Sequence, residues 1–254
     1  MQNGYLAQRL LSRHPTGNVI AVFDRSAYLE LDEGIVCLTG DELPDGPLMV
    51  SHQRTSALRI NEKVTPETDV KSVWRPPTTL GWSIQSLERG LFSNILSGEP
   101  EYLLKIAIPE VERALSGWLE RCFSGYFVAV PKAATRLVGL GPGLTPSGDD
   151  YLGGVMVTLL AVGQPDIASA LYASLDLSRT NRISAAHLAA AYEGAAAAPL
   201  HDVVNAVLQG RTERLSDRLA ALDVMGHSSG WDAFAGCEFV LRTYYRSAKV
   251  RTLD

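Results

Sequence analysis

The spacing of hydrophobic residues along the chain changes near residue 80. Before it lie short β-rich runs: Asn18-Val-Ile-Ala-Val-Phe-Asp24, Tyr28-Leu-Glu-Leu31, Ile35-Val-Cys-Leu-Thr39 and Pro47-Leu-Met-Val-Ser51. Clusters such as Asp32-Glu-Gly34 and Asp41-Glu-Leu-Pro-Asp-Gly46 separate them, a pattern that predicts an antiparallel meander or small barrel. Residues 52–80 are polar and carry Pro66, Pro76 and Pro77, which predicts an irregular connection with one more strand around Val70 to Trp74.

From Trp82 the period becomes helical, with Ile84, Leu87, Leu91 and Ile95 on one face and Gly98-Glu-Pro100 closing the run. A second helical region runs from about Glu101 to Cys122, where Pro109 is expected to bend or divide it. Tyr126-Phe-Val-Ala-Val130 reads as a strand. Alanine-rich helical segments follow near 148–162, 166–175, 180–194, 200–208, 212–223 and 230–246. The expected fold is α+β: a β-rich N-terminal domain over residues 1–80, then a mainly α-helical domain over 81–254 holding a Gly-rich loop at 139–150.

Composition adds limits. Apolar residues make up 46% and charged residues 20%, which suits a folded globular chain rather than a disordered one. A net charge of −5, with no dense Lys/Arg cluster, argues against a nucleic-acid partner. Cys37, Cys122 and Cys237 are far apart and fit neither a disulfide framework nor a zinc site. The first residues lack the features of a signal peptide, and the apolar stretch near Val155 to Val162 is too short to span a bilayer. The expectation is a cytoplasmic protein without a membrane partner.

The candidate chemistry centres on Gly139-Leu-Gly-Pro-Gly-Leu-Thr-Pro-Ser-Gly-Asp-Asp150. Gly139, Gly141 and Gly143 let a ligand approach the main chain, and a helix capped by Ser147 would present the amides of its first turn, Gly148 among them, to an anion. Neither the phosphate-loop lysine nor a Rossmann setting is present, so no nucleotide is implied. Asp149 and Asp150 would repel a bare anion, so the reading needs Mg²⁺ or an amide-bearing substrate beside it. Capping explains the two acids equally well, although it does not explain the upstream glycines and prolines.

A second stretch, Gly226-His-Ser-Ser-Gly-Trp-Asp232, echoes the first. Ser147 to Gly154 and Ser229 to Gly236 share the pattern S-G-x-D-x-x-x-G, in which Ser caps, Asp reaches back and the later Gly admits a neighbouring helix. The expectation is that Thr145, Ser147, Ser228, Ser229, Gly230 and Asp232 converge on one site for a small dianionic or amide ligand. His227 is a candidate general acid beside Asp149 and Asp150. The same stretch matches G-x-S-x-G, but a helix precedes it and no histidine follows Ser228, which rejects a serine hydrolase. Arg179, Arg182 and Ser184 lie at a helix start, with Thr180 as the expected cap, where a guanidinium could meet a carboxylate or phosphate. His187 shares a face with Ser184 and reads more readily as a satisfied core or surface histidine than as a functional one. Asp24, Arg25 and Ser26 form a polar break that is either a turn or a rim.

Three blocks carry a family resemblance. Gly139 to Asp150, Thr180-x-x-Ile183-Ser184 and Gly226-His-Ser-Ser-Gly-x-Asp232 resemble the AllH family, described as a subunit of oxamate carbamoyltransferase and formerly as a putative carboxylase or domain of unknown function. The resemblance implies a place in purine (allantoin) nitrogen degradation, where oxalurate and phosphate give oxamate and carbamoyl phosphate, with AllF- and AllG-type companion subunits. It assigns no catalytic residues. The alternatives from other classes are a non-catalytic scaffold or ligand-sensing subunit and, more remotely, a carboxylase component.

Overall fold

The computed structural model describes residues 2–40, 43–52, 55–66, 72–93, 95–96, 109–226 and 228–251. The chain opens with a two-residue strand β1 (Asn3–Gly4) and helix α1 (Tyr5–Arg13). Strands β2 (Gly17–Val22), β3 (Ser26–Leu31) and β4 (Gly34–Thr39) then form the expected antiparallel meander, and β5 (Met49–Ser51) and β6 (Lys63–Val64) complete a sheet of order β5-β4-β3-β2-β6. The β5 strand joins β4 in parallel, a departure from a simple meander that the run at 47–51 does not encode. A short strand β7 (Val73–Trp74) pairs with β1.

Alternation along β3 gives the sheet two faces. Ala27, Leu29 and Leu31 turn into a core shared with Ala7 and Leu11 of α1 and Val36 and Leu38 of β4. Ser26, Tyr28 and Glu30, one residue out of phase, turn to the other side. Helix α1 was not expected from the sequence. Its apolar residues Leu6, Ala7, Leu10 and Leu11 do follow helical spacing, and Leu6, Ala7 and Leu11 are buried.

The rest is helical: α2 (Ile84–Leu91), α3 (Pro109–Phe123), α4 (Lys132–Thr135), α5 (Ser147–Ala161), α6 (Pro165–Ala173), α7 (Arg182–Tyr192), α8 (Ala198–Leu208), α9 (Leu215–Ala220) and α10 (Ser229–Arg251). Pro109 takes the first position of α3, where its missing N–H is harmless. The expected strand residues Val70 and Lys71, the Gly98 stop, residues 101–108 and His227 lie outside the described residues. Residues 126–130 form no strand; Val128 gives its carbonyl to the Trp118 indole N–H at 3.0 Å, and Tyr126 and Phe127 stand exposed. An apolar run without a neighbouring strand has no ladder to join.

Helices α5 and α10 meet backbone to backbone. A Cβ on Gly154 would fall 1.8 Å from the Ala233 carbonyl, and one on Gly236 would fall 2.1 Å from that of Tyr151. These are the final glycines of the two echoed motifs, and each removes the side chain that would hold the other helix away. Apolar cores lie around this crossing, one with Trp118, Leu152 and Met156, the other with Val203, Phe234 and Leu241. No helix among the described residues is long and apolar enough to cross a membrane.

Candidate functional site

A cavity of about 900 Å³ lies between the outer face of the sheet and the helical body. Ser26, Tyr28 and Cys37 line it from the sheet, and Tyr28 and Cys37 stand opposite each other in the β3–β4 register. The turn from Phe23 to Arg25 forms a rim. The helical side contributes the first turns of α5, the Ser184 and His187 face of α7, and Ser228, Ser229 and Ala233 at the start of α10.

The glycine loop is first a structural knot. Asp149 is 2% exposed. Its Oδ1 accepts from the Gly139 N–H at 2.8 Å, and its Oδ2 accepts from Thr180 Oγ1 at 2.5 Å and Ser184 Oγ at 2.7 Å. Gly139 has φ +73° and lies so close to the Arg179 carbonyl that a Cβ would come within 2.1 Å of it. Asn181 rather than Thr180 caps α7, accepting from the Ile183 and Ser184 N–H groups at 3.0 Å each, while its Nδ2 donates to the Leu144 carbonyl at 2.9 Å. Thr180 is drawn instead to Asp149, a charged acceptor that forms the stronger bond.

Ser147 does not cap α5. The helix begins at Ser147 after Pro146, without a side-chain cap, and the Gly148 and Asp149 amides bond to the Leu140 and Pro146 carbonyls at 2.8 and 2.9 Å. Much of the polar helix end is thus consumed by the loop itself. Gly143, with φ +86° and open space where a Cβ would be, is the loop glycine that faces the cavity.

The two motifs meet by exchange. Asp150 takes a hydrogen bond from Ser229 at the start of α10, and Asp232 of α10 takes bonds from Ser147 and Ser228. Thr145 and Ser229 hydroxyls are 2.9 Å apart. The capping-box geometry expected within each motif gives way to carboxylate–serine bonds across the crossing, because the two helix starts abut. Satisfaction is incomplete, since Oδ2 of Asp150 and Oδ2 of Asp232 are buried without a partner. Burial, helped by the nearby charges of Asp232 and Asp149, raises the Asp150 carboxyl well above the ordinary aspartate range; burial also raises that of Asp232.

Across the cavity, Tyr28 and Cys37 hydrogen-bond to each other, and burial lifts the phenol well above its usual range and the thiol to about 12. Cys37 is therefore a protonated, inert thiol at neutral pH. His187 sits edge-on to Tyr28, ring centroids 6.3 Å apart, and desolvation lowers its pKa to about 4. Its Nε2 is buried and unpartnered.

Of the residues singled out from the sequence, Gly143, Thr145, Asp149, Asp150, Ser184, Ser228 and Ser229 line the cavity. Gly141, Ser147, Gly148, Gly230 and Asp232 stand behind that wall. Cβ atoms on Gly148 and Gly230 would strike the Leu137 and Leu222 carbonyls at 2.1 and 2.3 Å, so both serve close packing. Arg182 turns away from the cavity to pair with Glu30 of β3, and Arg179 donates to the Thr135 carbonyl at 2.7 Å. The cation on the cavity lining is Arg25, from the polar break at Asp24 to Ser26, which the structure makes a rim. Tyr28 and Cys37 carried no signal beyond strand alternation. Among the described residues no group of three or more His, Cys, Asp or Glu side chains is arranged to hold a metal ion.

Fold and site together define an α+β protein with a cavity of small-molecule size, mostly apolar with a few polar groups, between a sheet and a helical body. Residues 137–241 match the family model described as oxamate carbamoyltransferase subunit AllH, in agreement with the resemblance carried by the three sequence blocks. The match contains the glycine loop, α7 and the start of α10, and it begins after the sheet wall. No solved structure matches the chain.

Proposed function

We propose that this chain is a subunit of an oxamate carbamoyltransferase and that its cavity holds a small amide-bearing anion of that reaction: oxamate, oxalurate or carbamoyl phosphate. The observation that carries the reading is Asp150, a cavity-lining residue whose Oδ2 is buried without a hydrogen-bond partner where the starts of α5 and α10 meet. A buried polar atom left unpaired in a folded protein is costly, on the order of 1–3 kcal/mol, so a ligand group that pairs with it gains that amount in specificity.

An amide answers this site better than a cation. Asp149 has both oxygens engaged by three donors, and Asp150 is held toward its neutral form, which binds Mg²⁺ poorly. A protonated carboxyl offers one donor and one acceptor, the complement of a carbamoyl C=O and N–H. Arg25 on the rim supplies a partner for the carboxylate or phosphate end. In the reaction, a phosphate oxygen forms a bond to the carbamoyl carbon of oxalurate as the bond to the oxamate nitrogen breaks, and that nitrogen takes up a proton. Fixed donors at the carbamoyl oxygen lower the barrier to such a transfer. Companion subunits of the AllF and AllG type would complete the catalytic assembly.

Calorimetric titration of the purified chain with oxamate, oxalurate and carbamoyl phosphate tests this, with and without MgCl₂. Heat that is independent of Mg²⁺ and lost in Asp150→Ala supports the reading. Uptake seen only when companion subunits are added favours the scaffold reading, and uptake that requires Mg²⁺ replaces the amide with a bridging cation.

A further inference from the structure

Ten buried side-chain polar atoms lack a hydrogen-bond partner among the described residues, two of them being held in ion pairs, and two others belong to residues that line the cavity, Asp150 Oδ2 on α5 and His187 Nε2 on α7. We propose that Asp150 and His187 form the specificity pair of the cavity, selecting an uncharged primary amide or ureido end of the ligand over a carboxylate. This rests on the reading of the cavity as a ligand site and adds which residues discriminate, and on what basis.

Placement comes first. Tyr28 is the common neighbour of the pair: its ring is edge-on to His187, and its phenol lies within electrostatic reach of Asp150. Asp150 and His187 thus both line the cavity in the neighbourhood of Tyr28. Charge comes second. Asp149, Asp150 and Asp232 crowd the crossing of α5 and α10, and their hydrogen-bond partners are hydroxyls and an amide rather than cations. A carboxylate brought into that company adds a like charge in a dehydrated place, whereas a neutral amide does not. Arg25 is a basic residue of the described lining and can take the anionic end of a ligand whose amide end meets Asp150.

Hydrogen-bond inventory comes third. Nε2 of the His187 imidazole and Oδ2 of Asp150, the two atoms left without a partner, can each make one bond, and together they match two of the polar groups of a primary amide. Burial, the first cause of both shifts, raises the carboxyl and lowers the imidazole to about 4, so both shifts favour the uncharged forms. A carboxylate has no donor to offer either acceptor. Sites built to hydrogen-bond a particular group reject its isostere strongly for that reason.

Oxamate and oxalate differ by one group, NH₂ in place of O⁻, and are the probes. Titrated into the full-length chain at neutral pH, oxamate is expected to bind at least about tenfold more tightly than oxalate. His187→Leu should bring that ratio below about threefold while thermal stability is kept, because an apolar side chain replaces an unpaired polar one. His187→Gln, which retains a donor and an acceptor, should recover part of the preference. Equal binding of the two ligands by the unaltered chain, tighter oxalate, or a ratio indifferent to His187→Leu overturns the pair while leaving the cavity as a ligand site. Failure of both ligands to bind the chain, alone and with its companion subunits, overturns the cavity reading itself.

Discussion

Asp149 and Asp150 are neighbours in sequence and both line the cavity, yet they belong to different bonding regions of its wall. Asp149 closes a knot in which the glycine loop, the Thr180 turn and Ser184 of α7 all donate to one carboxylate. Asp150, beside it, keeps one oxygen unpaired. Successive helical side chains diverge by about 100°, so a pair of acids on one turn meets two different environments. The Asp149 knot has both carboxylate oxygens satisfied and ties loop to helix; the Asp150 carboxyl is left with one oxygen unpaired. The repeated acids in the loop are two devices and not one dyad.

Breaking the knot is expected to have the largest effect. Asp149→Ala leaves the Gly139 amide and the Thr180 and Ser184 hydroxyls without their common acceptor in a buried place, a loss of about 3–5 kcal/mol. Urea unfolding should show it directly. Asp150→Asn, one residue on, should leave stability unchanged or raise it, because a carboxyl that burial and neighbouring acids resist ionising is replaced by a neutral amide. If both variants lose stability alike, the division between knot and cavity fails.

Acid comes next. His187 and His201 are each lowered by burial from 6.5 to about 4. The unfolded chain takes up these protons below about pH 6.5 while the folded chain resists them until about pH 4. Stability from the two histidines is thus fully present above pH 6.5 and lost as the pH falls toward 4, by roughly 3 kcal/mol for each. Asp150 acts in the opposite sense, since its raised carboxyl favours the folded state as pH falls. Denaturation midpoints measured from pH 7 to pH 4 in the unaltered chain and in His187→Leu should separate the two: the variant flattens the acid loss by about half.

The crossing that brings the two regions together offers a third measurement. Gly154→Ala or Gly236→Ala places a methyl inside contact distance of a backbone carbonyl on the facing helix, so α5 and α10 must part, with a loss of about 1–3 kcal/mol. Ser147 and Asp232 should then lose their bond, as should Ser229 and Asp150. Oxamate affinity should fall with stability in these variants, in contrast to Asp150→Asn, which keeps a donor and an acceptor in place and should hold both.

Much of this architecture was legible from period and punctuation. The meander follows from alternation at Tyr28 to Leu31 and Ile35 to Thr39, and the helices after residue 146 follow from spacing and glycine stops. The S-G-x-D-x-x-x-G echo located the crossing because its last glycine has a local meaning, the close approach of another backbone. Its first serine misled, because capping is a local expectation and the bonds that form run between helices. The strand expected at Tyr126 to Val130 failed for a related reason: composition favours extended chain, but only a neighbouring strand supplies a ladder. Least legible was the sheet wall. Tyr28, Cys37 and Arg25 reach the cavity through β3–β4 register and the turn before β3, and no spacing in the sequence joins them to Asp150 more than a hundred residues later.

The smallest expected effect separates the arginines. Arg182 appeared to be the natural partner for an anion at the start of α7, but its guanidinium pairs with Glu30 on β3, is largely exposed and does not line the cavity. Exposed ion pairs contribute little, so Arg182→Ala should change stability by less than about 1 kcal/mol. Its oxamate affinity should match that of the unaltered chain. Arg25→Ala should leave stability equally intact, because the side chain sits on a turn, and yet weaken oxamate through loss of the rim charge. Raising the salt concentration should weaken binding to the unaltered chain and to Arg182→Ala in parallel, while Arg25→Ala responds less. A result in which Arg182 carries the salt dependence would move the anionic end of the ligand from the sheet rim to the start of α7, and with it the direction in which the amide points.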